Sequence, residues 1–399
     1  MTAQSRVLII GGGSAGISVA GRLRAAGKDV TLVEPADTHD YQPLWTLVGG
    51  GCAPLKESRR AESSVMPHGG AWIKDRAETI DPEAQTVGTA AGQVLTYDQL
   101  VVCPGIQLDW GKVPGMTDAL FTPSVSSNYS YELAPKTWQL IQSMRTGTAI
   151  FTMPAGPIKC AGAPQKIAYL AADFWRQQGV LKDIRVILVL PTPGMFGVPE
   201  FAAVLETVVA RYGIEVHKNS ELIEVDPDAR TAVIADNANG TKQSITYDLM
   251  HVVPPQSAPD WIKRSPLADP ANPGGYVEIH KHTLQHARYP NVFALGDAGS
   301  SPNSKTGAAI RKQAPVVVRN VQAVMANQTP SAQYDGYASC PLTTARDKMV
   351  LAEFDYTMKP HPSFPPWLLN AQQERTDMSY LKRYGLPFLY WNLMLKGRA

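Results

Sequence analysis

Near its start the chain runs Val7-Leu8-Ile9-Ile10, breaks into Gly11-Gly12-Gly13-Ser14-Ala15-Gly16, and continues as the helical stretch Ala15–Ala26. A strand that turns through G-x-G-x-x-G into a helix constrains the fold more than any other feature of this sequence. The glycines are needed where a Cβ would foul the tight turn, the approach of a pyrophosphate and the packing of helix on strand. The free N–H groups at the helix start then face the phosphates. A second strand, Val30–Val33, ends in Glu34, where a ribose hydroxyl needs an acceptor. A chance glycine-rich turn is the competing reading, and the flanking elements weigh against it.

At 399 residues the chain exceeds one ordinary core, and two or three domains are expected. Short β runs alternate with helical stretches, which predicts an α/β fold. Strands are expected at Gln99–Cys103, Ala149–Met153, Arg185–Leu190, Glu215–His217, Glu221–Val225 and Asn291–Leu295. Helices are expected at Gln165–Gln178, Glu200–Tyr212 and Gly307–Ala326. The resulting division is a first dinucleotide domain over 1–110 and 275–335, a second over 111–274, and a C-terminal region over 336–399.

A net charge of +2, without a Lys/Arg-rich run, excludes a nucleic-acid-binding protein. No apolar run reaches the length of a spanning helix. Four cysteines are too few for a disulfide scaffold in a chain this long, and no metal site is expected.

The segment Tyr289–Asp297 is an apolar strand ending in Gly296-Asp297. In two-dinucleotide-domain flavoproteins an aspartate so placed meets the ribityl chain of FAD. Tyr97–Gly105 is similar to the segment that crosses between domains in the same superfamily. The second domain has a strand at the right place, Val186–Leu190. Pro191 and Pro193 follow it, where glycine or a free N–H is wanted. The expectation is a retained fold with a lost site, which disfavours NADH as electron donor.

Cys160 stands just before a helix and beside Lys159, a setting that favours a thiolate. Cys340 lies 180 residues later, in what reads as another turn. Spacing does not say that the two meet, and a buried structural role stays open for each.

At this point five segments closely resemble sulfide:quinone oxidoreductases, above all the type II branch. They are Tyr41–Gly49, Lys159–Lys166, Ser304-Lys305-Thr306, Tyr334–Pro341 and Leu351–Tyr356. The likeness runs on to Leu386–Asn392. It implies two Rossmann-like three-layer domains in a glutathione-reductase-like flavoprotein fold, with a membrane-associating C-terminal region. It further implies that Cys160 and Cys340 form a redox pair beside the flavin. Sulfide would attack at Cys340, leaving a persulfide there, and the released Cys160 thiolate would reduce FAD. A small acceptor (glutathione, sulfite, cyanide or further sulfide) would remove the sulfur, and a membrane quinone would reoxidise the flavin.

Carried over by position, the resemblance assigns Gly11, Gly13, Ser14, Ala15 and Gly16 to the pyrophosphate and Glu34 to the ribose. Gln42 belongs to the flavin side, Ala77 to the adenine, Asp297 to the ribityl chain and Lys305 to the flavin pyrimidine edge. Lys166 reads either as a proton- or sulfide-steering group or as a solvated surface lysine. Cys52 and Cys103 are expected to be spectators.

Leu381–Leu395 is rich in large apolar side chains bracketed by Lys382, Arg383, Lys396 and Arg398. It reads either as an interfacial helix with basic flanks for anionic head groups or as a helix packed on the body. Phe364–Leu369 could extend the patch. On the first reading, deletion of Leu381–Ala399 would cost membrane attachment and quinone reduction more than FAD. With no leader visible ahead of Val7, the expected location is peripheral, on the cytoplasmic face of a bacterial inner membrane. A homo-oligomer is compatible with the sequence. Three rivals remain: an NADH:quinone reductase of the same fold, the flavin subunit of a cytochrome-linked sulfide dehydrogenase, and a flavin-bound sulfur carrier or redox sensor without turnover.

Overall fold

The computed structural model describes residues 4–365, 370 and 372–399. Two parallel sheets organise it. In the first, five parallel strands run in the order Ala71–Ile73, Val30–Val33, Gln4–Ile10, Val94–Val102 and Val292–Ala294. Their near-continuous apolar sequences follow from burial on both faces: Val7, Ile9, Leu100, Val101, Val102, Val292 and Phe293 are fully buried. Helices Ser14–Ala25 and Gly307–Met325 pack against each other on this sheet. The first half of Val94–Val102 also joins an antiparallel meander with Thr86–Thr89 and Ala77–Asp81.

The second sheet orders Val125–Ser126, Leu249–His251, Gly147–Thr152, Ile184–Val189 and Glu215–His217, all parallel. It is followed by the antiparallel strands Ser220–Asp226, Thr231–Asp236 and Thr241–Thr246. Two connections between the halves pair with each other, Gln107–Leu108 against Gln256–Ser257. That clasp fixes one half against the other and sets the walls of the cleft between them.

Two expectations need correction. Cys340 is not in a turn: it lies within strand Ala338–Ala345, opposite Ala352 of Lys348–Phe354. The period-two signal is hidden because this hairpin is buried on both faces apart from Pro341 and its tip. The C-terminal segment, too, is only partly a surface element. Thr376–Met394 is one helical run with π-helical stretches at Leu381–Gly385 and Tyr390–Met394. Its far end is packed on the body, with Tyr390, Trp391, Met394 and Leu395 buried.

Tyr380, Tyr384 and Phe388, spaced four apart, form one exposed aromatic stripe, each just over 60 % accessible. Of the basic bracket, Lys382 is buried and Arg383 is tied to Glu57 and to the Cys52 carbonyl, so neither is free for head groups. Lys396 and Arg398 are exposed. Of the Phe364–Leu369 patch, Phe364 is exposed, and Pro366–Leu369 lie outside the described residues.

Candidate active site

The cleft floor is the turn after Gln4–Ile10. Gly11 has φ of 101°, and a Cβ there would lie 2.4 Å from the Cys103 carbonyl oxygen. A Cβ on Gly16 would lie 1.8 Å from the Gly11 oxygen. Around Gly13, by contrast, nothing stands within 4 Å of the Cβ position. Two glycines are therefore demanded by the protein itself, and the third opens onto space of the kind a pyrophosphate needs. Glu34 accepts from the Gly12 and Ala36 N–H groups at 2.6 and 2.8 Å. Burial raises its pKa against those two hydrogen bonds. Ala77 begins its strand a few residues beyond Ala71–Ile73, whose last carbonyl accepts from the Glu34 N–H. Cys103 sits buried under the glycine turn, and Cys52 is half-buried, its Sγ directed at the Gly50 carbonyl.

Lys305 is buried, its Nζ donating to the carbonyls of Asp297 (2.8 Å) and Gly299 (3.0 Å) and lying 3.9 Å above the Tyr276 ring. Burial pushes it down to about 8, opposed by Asp297. Burial raises Asp297 in turn, while Lys305 and Lys159 pull it down. The Lys305 carbonyl accepts from the Cys160 N–H at 2.8 Å, so the flavin-side loop and the cysteine loop are stitched together. Gln42 reaches the same place, its Oε1 accepting from Lys159 Nζ at 2.7 Å. Lys159 N–H donates to Gln256 Oε1, while the buried Gln256 Nε2 has no partner among the described residues. The open space at Gly13 and this unmatched amide fit a bound dinucleotide lying along the cleft.

The structure brings Cys160 and Cys340 together: their sulfurs are 3.8 Å apart and both are free thiols. Cys160 holds a left-handed φ of 53°, stabilised by hydrogen bonds on both sides of its peptide. Gly162 makes the approach feasible, since a Cβ there would be 2.5 Å from Cys340 Sγ.

The cation beside Cys160 is not the neighbouring Lys159, which turns away to Gln42. It is Lys166, one turn into helix Ala163–Gln177, with Nζ 3.1 Å from Cys160 Sγ. Lys166 is buried, so the solvated-surface alternative falls. A hydrogen bond from the Cys340 thiol is the largest pull holding the Cys160 thiol well below its ordinary pKa. Burial opposes it, and Lys166 then Lys382 add to it. The partner moves the opposite way: bonding to Cys160, then burial, then the Cys160 charge raise Cys340 well above the usual thiol value. Burial lowers the pKa of Lys166, but the two sulfurs outweigh it and hold the ammonium charged, above the ordinary lysine value.

Sequence reasoning missed Lys382. From the C-terminal segment its Nζ donates to the Pro341 carbonyl (3.0 Å) and Thr343 Oγ1 (2.6 Å), on the strand that bears Cys340. Burial and Lys166 push its pKa far down, against the pull of the cysteines. A lysine read as one flank of an amphipathic helix gave no local sign of this. The turn after Ile184–Val189 is packed from the same side. Phe196 packs edge-on against Phe354, and a Cβ on Gly197 would lie 2.6 Å from Met358 Cε. Among the described residues no cluster of ligating side chains could hold a metal, and no helix is long and apolar enough to cross a membrane.

Residues 5–314 match the family described as pyridine nucleotide-disulphide oxidoreductase. The mitochondrial sulfide:quinone oxidoreductase of Mus musculus is 42 % identical over 395 residues, covering 98 % of this chain and 86 % of that protein. That of Dictyostelium discoideum is 41 % identical over 398 residues, covering 99 % and 86 %. The solved structure of the sulfide:quinone oxidoreductase from Aquifex aeolicus superposes with a TM-score of 0.80 at 20 % identity, covering 99 % of this chain and 92 % of that one. The chain is an FAD-binding oxidoreductase and belongs to the sulfide:quinone oxidoreductases.

Proposed function

We propose that Cys160 and Cys340 are the redox pair through which this enzyme oxidises sulfide, with Cys340 the cysteine that receives the sulfur. The observation that carries this is the position of Lys166, whose Nζ stands 3.1 Å from Cys160 Sγ and favours the thiolate there. In thiol–disulfide exchange the sulfur with the lower pKa leaves faster. Cys160 is the one held low, by its bond from Cys340 and by Lys166. Sulfide therefore attacks Cys340: the hydrosulfide anion adds to its sulfur, the S–S bond breaks, and a Cys340 persulfide and a Cys160 thiolate result. A thiolate, sulfite, cyanide or second sulfide then takes the outer sulfur, leaving the Cys340 thiolate. As the S–S bond re-forms, two electrons leave the pair. Bound FAD would supply the two-electron acceptor between the cysteine pair and quinone. For a thiol acceptor the balance is one hydrogen sulfide and one thiol joined as one hydropersulfide, while one quinone takes up the two electrons and two protons to become quinol.

In this reading Lys166 holds the Cys160 thiolate. Gly11, Gly13, Ser14, Ala15 and Gly16 receive the pyrophosphate, and Glu34 and Ala77 the adenosine end. Gln42, Asp297 and Lys305 receive the ribityl and ring end. The plugged second turn supports sulfide rather than NADH as electron source. The stripe Tyr380–Tyr384–Phe388 supports peripheral attachment to the quinone-bearing membrane. The Mus musculus and Dictyostelium discoideum relatives are mitochondrial. Self-association stays within the proposal.

The test is anaerobic: sulfide is added to the purified flavoprotein, then a soluble quinone. Sulfide bleaching, absence of bleaching by NADH, recovery on quinone, and loss of all sulfide response in Cys160→Ser are expected. Bleaching by NADH alone, or full sulfide turnover in Cys160→Ser, overturns the reading.

A further inference from the structure

Four side chains outside the cysteine site form an unbroken line from the second strand's loop to the phosphate-binding turn. Glu62 Oε2 is 3.3 Å from His39 Nδ1, and both side chains are about 2 % accessible. His39 Nε2 is 2.5 Å from the Tyr390 hydroxyl. That hydroxyl is 2.7 Å from Ser14 Oγ, at the start of the helix that follows the glycines. With the imidazole proton directed at Glu62, Nε2 accepts from Tyr390 O–H, and Tyr390 Oη accepts from Ser14 O–H. Every member is then satisfied in one direction. Burial pushes the Tyr390 phenol far above its usual pKa, so it stays a donor. The remaining Glu62 oxygen, Oε1, has no partner among the described residues, and a Cβ on Gly12 would stand 2.8 Å from it.

Tyr390 belongs to the C-terminal segment, which grips the same helix twice more. Gly21 and Gly397 are each so close to the opposing backbone that a Cβ on Gly21 would lie 3.1 Å from the Leu395 oxygen, and one on Gly397 2.8 Å from the Arg22 nitrogen.

We propose that Glu62, His39 and Tyr390 are positioning residues that hold the Ser14 end of the phosphate-binding turn, so that the C-terminal segment retains FAD. This rests on FAD binding at Gly11–Gly16. It changes the expectation that losing Leu381–Ala399 would cost quinone reduction more than FAD: a chain cut there loses the Ser14 contact together with Tyr384 and Phe388 of the aromatic stripe.

The experiment dilutes the holoprotein and follows release of FAD by its fluorescence, in wild type, Tyr390→Phe and the nearby exposed control Asn392→Ala. Loss of one buried hydrogen bond to the turn predicts a release rate higher by about 5- to 30-fold in Tyr390→Phe, and an unchanged rate in Asn392→Ala. The melting temperature of FAD-stripped Tyr390→Phe should stay near that of stripped wild type, while that of the loaded variant falls. A mere packing defect would lower both alike. A release rate in Tyr390→Phe within about twofold of wild type, or an equal rise in Asn392→Ala, overturns the proposal. Should Tyr390→Phe not accumulate, Glu62→Gln is judged by the same criterion. A wild-type protein that takes up no FAD would refute the cofactor reading, whereas uptake with an unchanged release rate refutes the relay alone.

Discussion

Replacing Lys166 by methionine keeps the volume of the side chain and removes one charge from beside Cys160. At the observed 3.1 Å separation, a unit-charge pair in a medium of effective dielectric about 20 interacts by about 5 kcal/mol. At 1.36 kcal/mol per unit that equals roughly 4 pK units. Lys382 and the Cys340 thiol remain and also favour the thiolate, so a rise of roughly 2 to 4 units in the Cys160 pKa is expected. The assay is the pH dependence of iodoacetamide alkylation of the reduced protein, read by mass spectrometry on the Cys160 peptide. Wild type should alkylate at lower pH than an ordinary thiol, and Lys166→Met should follow a midpoint shifted upward. Sulfide-driven bleaching of the flavin should slow in parallel, because Cys160 becomes a poorer leaving group. A midpoint shifted by less than about half a unit would show that the helix and Cys340 set the thiolate without Lys166.

Further tests address other parts of the site. Gly162→Ala would place a Cβ 2.5 Å from Cys340 Sγ. The two sulfurs should separate, and thiol counting after mild oxidation should find the pair unformed while FAD content is retained. His251 is buried, accepts from the Asn128 N–H, and burial pushes it down to about 3. Between about pH 6.5 and that value the unfolded chain binds a proton that the folded one refuses, so stability falls with falling pH by about 1.4 kcal/mol per unit. Urea unfolding from pH 7 to 5 should show this slope, and His251→Gln should flatten it. Tyr384→Ser with Phe388→Ser should lower sedimentation with anionic liposomes while sulfide still bleaches the flavin; unchanged sedimentation would remove the stripe from the membrane contact.

Much of the first sheet was legible because its signals are local. The apolar run before Gly11, the acid closing Val30–Val33 and the Gly-Asp after Val292–Ala294 each sit inside a short segment. The Cys160–Cys340 encounter was not, since it is made by packing helix Ala163–Gln177 against strand Ala338–Ala345. The resemblance alone pointed to it. Lys159 was favoured over Lys166 because adjacency in sequence is visible and a helical turn's return to its own start is not. Lys382 and Tyr390 both come from a stretch whose composition says amphipathic. Composition cannot say which residues of such a stretch meet the body, and the π-helical stretches shift the registry that a regular period would predict.

The hairpin Ala338–Phe354 does two jobs at once. One strand delivers Cys340 to its partner; the other runs out through Phe354 toward Met358, whose methyl group lies against Gly197 in the turn after Ile184–Val189. The sulfur pair and the second turn thus share one hairpin, and a change in how that hairpin packs would be felt at both.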